Sequence, residues 1–124
     1  MTQPLALLVY EGILPGSQLI NHLRELGYRV VSANPPAPVV PLAIQERPMV
    51  ILLDLVCKSM DITGQITALK AEPTTAHIPI IAFAPADRAD LRAAAKAVGC
   101  TLVAVSDGIL EQLSALLSQV IDQP

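Results

Sequence analysis

Asp54 closes the most apolar run of the chain, MVILLDL from Met49. A carboxylate in that place can ligate a hard cation or attack a phosphoryl group as a nucleophile. Glu11 stands in a comparable position, just past the first apolar run, PLALLVY from Pro4. Cys57 lies three residues beyond Asp54 with Lys58 as its only basic neighbour. A thiol with so little positive charge around it reads as an inert small hydrophobe rather than a redox centre. His22, on the polar side of a helical pattern, and His77, in a loop, have no partner at metal-ligand spacing and read as solvated. Ser17, after Pro15 and Gly16, reads as a helix cap rather than a nucleophile. Gly12 and Gly16 do not form a dinucleotide fingerprint, and no base–nucleophile pair is evident. The expectation is a protein that is not an enzyme.

These residues depend on the elements that hold them. Five short apolar runs predict strands over residues 4–10, 29–33, 49–54, 79–84 and 101–105. They are continuous rather than alternating, as in strands covered by helices on both faces. Between them Leu19, Ile20, Leu23 and Leu26 share one helical face, ended by Gly27, and Ile62, Ile66 and Leu69 share another, stopped by Pro73. A further helix starts near Asp87 and Asp90, buries Leu91, Ala94, Ala95 and Val98, and stops at Gly99. In the last one Leu110, Leu113, Leu116, Leu117, Val120 and Ile121 form a single stripe. Only the second helix is poorly written. Prolines at 35, 36, 38 and 41 predict a short helix beginning at or after Pro38.

Strand and helix alternating five times predict an α/β fold, a doubly wound parallel sheet between two helix layers. Such sheets bind ligands beyond the carboxyl ends of their strands. Those ends are Tyr10-Glu11-Gly12, Asp54 to Cys57, Ala84-Pro85 and Val105-Ser106.

Composition narrows the classes further. The 124 residues predict a single domain over 1–124, and 52% apolar against 15% charged residues is far from a disordered composition. A net charge of −3 gives no basic patch for nucleic acid. The longest uncharged segment, Val30 to Gln45, carries four prolines and cannot cross a membrane as a helix. The first ten residues, MTQPLALLVY, lack the basic start of a secretory leader, and two cysteines make no disulfide framework. The expected location is the cytoplasm.

With these elements in place, the sequence resembles the receiver domains of two-component response regulators over residues 4 to 121. RPMVILLDLVCKSMD resembles the third strand of that family, whose final aspartate accepts phosphate, and Asp54 takes that place. AHIPIIAFAP resembles the fourth strand and GCTLVAVSDG the fifth with its exit loop. The resemblance implies a sheet order of 2-1-3-4-5. It also implies a weak magnesium site made by Glu11, Asp54 and the backbone carbonyl of Val56.

Measured against the family, other positions have lost their chemistry. Tyr10 replaces the first acid of the metal-binding pair, and Ala84 replaces the hydroxyl residue that bonds the phosphoryl group. Ser106 replaces the phosphate-pairing lysine, Asp107 the proline after it, and Val103 the aromatic switch residue. Charge-assisted hydrogen bonds of the missing kind are worth roughly 1.5–3 kcal/mol each. Without them, phosphorylation has little differential energy with which to shift a conformational equilibrium. The leading expectation is a degenerate receiver acting as a protein-interaction module in signalling. Its partner would be a histidine kinase, a downstream signalling protein or a second copy. Contact would run through the face of the fourth helix, fifth strand and fifth helix, where Ala115, Leu116 and Gln119 edge the apolar stripe. One alternative is a working receiver phosphorylated at Asp54 by a histidine kinase, with magnesium at Glu11 and Asp54. Another is a flavodoxin-like small-molecule-binding domain that uses the same crevice.

Overall fold

Each apolar run folds as a short strand: β1 (Leu5–Val9), β2 (Arg29–Ala33), β3 (Val50–Asp54), β4 (Ile80–Ala84) and β5 (Leu102–Val105). The computed structural model describes residues 3–11, 16–33, 38–58 and 60–121. The strands pair in parallel in the order β2-β1-β3-β4-β5, as expected. Pro4, Tyr10, Met49, Pro79 and Thr101 fall just outside the strands. Pro4 and Pro79 have no N–H for a ladder, but their carbonyls accept from the N–H of Arg29 at 2.8 Å and of Ile51 at 3.0 Å.

Among the described residues five helices complete the fold: α1 (Gly16–Glu25), α2 (Val39–Glu46), α3 (Ile62–Ala71), α4 (Ala89–Ala97) and α5 (Ile109–Ile121). Side chains of the three central strands alternate between two cores. Leu7, Val9, Ile51, Leu53, Ile80 and Ala82 pack toward α2, α3 and α4. Ala6, Leu8, Val50, Leu52, Ile81 and Phe83 pack toward α1 and α5. β1, β3 and β4 are buried at every residue, which explains why their sequences show no polar alternation. Among the described residues no helix is long and apolar enough to cross a membrane.

The second helix follows its prolines. Pro38 precedes it, and Pro41 lies in its first turn, where N–H groups have no intrahelical acceptor to lose. The orphan N–H of Val39 finds the Gln65 side-chain oxygen on α3 at 2.9 Å. With 8 residues it is the shortest of the five helices. Pro35 and Pro36 lie outside the described residues. Gly27 and Gly99 close α1 and α4 at φ 94° and 100°, and Arg47 makes the same left-handed turn after α2 at φ 51°.

Three local expectations need correction. Ser17 lies inside α1, which already begins at Gly16, so it is not the residue that caps the helix. Ala94 is exposed, because α4 covers the edge of the sheet with a narrow face on which Ala95 alone is fully buried. Leu26 lies in the turn after α1 and is 39% exposed, since the helix has ended before its side chain can reach the core.

Candidate functional site

Parallel pairing brings the exits of β1 and β3 side by side. Val9 is in register with Leu53, so Glu11 and Asp54 emerge at the same end of the sheet. Glu11 is half-buried and tied to the loop after β3. Its Oε2 accepts the Lys58 backbone N–H at 2.9 Å, and its Oε1 lies 3.7 Å from the Cys57 sulfur. Cys57, expected to be inert, therefore serves as a neighbour of the acidic site. His22 also has a neighbour, since its Nδ1 lies 3.7 Å from Glu25 Oε2 on the surface of α1.

Asp54 is only 7% exposed. Its Oδ1 accepts the Val56 N–H at 3.0 Å. No buried side-chain oxygen or nitrogen among the described residues lacks a partner, so the other carboxylate oxygen reaches the surface of the cleft. Burial pushes the carboxyl up from 3.8 to about 6; the Val56 amide opposes this rise, and the negative charge of Glu11 adds to it. No cation among the described residues enters that balance.

The remaining expected positions carry no charge. Tyr10 is buried in the core with Leu19, Leu23 and Phe83, so it acts as a hydrophobe. Ala84 is fully buried, and its carbonyl accepts the Ser106 N–H at 2.8 Å. Ser106 is half-buried, and its own carbonyl accepts the Ile109 N–H at 3.2 Å at the start of α5. Val103 is half-buried and packs on the core beneath α4.

Two contacts were not foreseen. Asp107 Oδ2 accepts the Ala86 N–H at 3.4 Å, joining the loops after β4 and β5. Arg92 on α4 donates to the Pro85 carbonyl, which engages a cation that stands near the ends of the strands. An acid where the family has proline was visible at Asp107, but its partner depends on two loops brought together by the sheet.

Asp54 and Glu11 supply the carboxylate oxygens that magnesium takes, and the Val56 carbonyl lies in the same loop as Asp54. The mutual repulsion of the two carboxylates is what a cation would relieve. No group of three or more His, Cys, Asp or Glu side chains converges among the described residues.

No protein-family model matches the chain, and no curated protein matches it by sequence. Solved structures do. The receiver domain of a sensor histidine kinase of Pseudomonas aeruginosa, with a magnesium ion coordinated in its active-site cleft, is 22% identical, with a TM-score of 0.86 over 98% of this chain and 100% of that one. A chemotaxis response regulator of Vibrio cholerae is 24% identical, with a TM-score of 0.79 over 96% and 99%. The signal receiver domain of a DNA-binding response regulator from Colwellia psychrerythraea is 22% identical, with a TM-score of 0.82 over 97% and 99%. The sheet order and the two helix layers are thus those of the response-regulator receiver fold.

Proposed function

We propose that the chain is a receiver domain of two-component signalling that works through protein contact and has lost phosphorylation-driven switching. The observation that supports this reading is the charge balance at Asp54: burial and Glu11 raise its carboxyl, and no cation among the described residues lowers it. A phosphoryl group there would add negative charge beside Glu11, with a buried methyl at Ala84 in place of a hydroxyl and a short hydroxyl at Ser106 in place of a lysine. Moving a two-state equilibrium from mostly off to mostly on takes about 5.5 kcal/mol. Among the described residues, metal coordination and backbone hydrogen bonds are the contributions left, and they are too few. The domain has no catalytic role, and its partner is a histidine kinase, another signalling protein or a second copy, met on the α4–β5–α5 face.

A working receiver is the competing reading, favoured by the shared exit of Asp54 and Glu11. Backbone amide shifts during titration with magnesium, then with beryllofluoride as an acyl-phosphate mimic, separate the two. Weak magnesium binding that disappears in Asp54→Asn is expected, with shifts confined to the loops around Asp54. Shifts spreading to α4 and β5, or a severalfold change in partner affinity on treatment with acetyl phosphate, would establish the working receiver instead.

A further inference from the structure

Away from Asp54, at the end of the sheet where the strands begin, lies an open cleft of about 580 Å³. Arg29, Arg47 and His77 line it, with Glu46 as the single acid. Past His77 and Pro79 it continues into a second hollow of about 510 Å³, where Lys70 stands. Positive groups are therefore gathered at one end of a chain whose net charge is −3. Among the described residues neither Arg29 nor Arg47 has an ion-pair partner.

Arg47 adds a second, independent observation. It holds left-handed backbone angles of φ 51° and ψ 58° after α2, a conformation glycine adopts without strain and arginine does not. Arg47 lines the cleft despite that cost, which puts a cationic residue at its edge. Apolar surface completes the lining, from Leu5, Pro48 and Pro79 and from Met49, which is 47% exposed. The lining has the composition of small-molecule sites, in which a few polar groups orient a mostly apolar contact.

We propose that this cleft binds a phosphate ester of a small organic molecule. Arg29 and Arg47 take the phosphate, because planar guanidinium donors match its oxygens in bidentate fashion. Met49 and the prolines take the organic body, and His77 closes the anionic side. The site is separate from Asp54 and independent of whether the domain is phosphorylated.

Calorimetry on the full chain at fixed ionic strength tests this, with AMP, inorganic phosphate and hexaglutamate as probes. AMP is expected to bind saturably at one site and severalfold more tightly than inorganic phosphate. Arg29→Gln and Arg47→Gly should each weaken AMP roughly tenfold or more, the loss of one charge-assisted contact. Arg47→Gly should also melt higher than the parent, because glycine relieves the turn, so its lost binding is not lost folding. Asp54→Asn should bind AMP unchanged. The proposal is overturned if AMP gains nothing over inorganic phosphate, if both arginine variants bind AMP normally, if Asp54→Asn weakens it, or if hexaglutamate binds more tightly.

Discussion

Burying Asp54 without a counter-cation fixes the sign of its effect on stability. Its carboxyl titrates near 3.8 when unfolded and at about 6 in the fold, so between those values the folded state holds a proton the unfolded chain has released. Stability from this group is complete below the lower value and is lost as pH rises through the upper one. At neutral pH the ionised, buried Asp54 thus costs the fold something on the order of 3 kcal/mol. Asp54→Asn should be more stable than the parent at about pH 7.5, by roughly 1–3 kcal/mol, and the gain should close toward pH 4. Urea unfolding at both pH values measures it; a gain independent of pH would mean that the charge is not the cause. Asp54 and Glu11 were legible in the sequence because each ends an apolar run. The Glu11 contacts with Lys58 and Cys57 were not, since they join residues 47 and 46 positions apart through loop geometry.

At the scale of elements, legibility followed how strongly a pattern restricts the backbone. The continuous apolar runs of β1, β3 and β4 admit little but buried strands, and the prolines bar α2 from starting before Pro38, as it does not. Ser17 and Ala94 were misplaced because small residues tolerate several positions, and the neighbouring layer decides among them. Two hydrogen bonds between elements set the ends of helices and give a quantitative test. Gln65 on α3 caps the Val39 N–H at 2.9 Å, and the buried Thr75 hydroxyl donates to the Leu69 carbonyl at 2.7 Å where α3 ends. Gln65→Ala should cost about 1 kcal/mol, the usual value of a helix cap. Thr75→Val keeps the shape but strands a buried carbonyl, which costs about 1–3 kcal/mol. Denaturant midpoints that fall with unchanged slope would bear this out, whereas a Thr75→Val protein as stable as the parent would show that Leu69 has found another donor.

Over the whole molecule, burial is uneven in a way that predicts how the domain opens. β1, β3 and β4 are buried along their whole length, whereas β5 at one edge has a single buried residue, Ala104, and α4 above it has only Ala95. Opening free energies track buried apolar contact, so the central strands should exchange their amides only through global unfolding. β5 and α4 should open at lower cost as one unit, because Leu91, Val98 and Val103 pack on the same core there. In a receiver that switches, a ligand at the strand exits would change that opening through its differential affinity for two states. Here the groups linking the exits of β4 and β5 are neutral backbone bonds, Ser106 to Ala84 at 2.8 Å, and the weak Asp107 contact to Ala86 at 3.4 Å. Magnesium with beryllofluoride should therefore slow exchange in the loop from Leu55 to Lys58 and leave β5 and α4 at their unliganded rates. Native-state hydrogen exchange resolves the two regions in one experiment. Protection rising in β5 and α4 along with the loop would mean that the edge of the sheet still senses Asp54. The α4–β5–α5 face would then be a switched surface rather than a constant one.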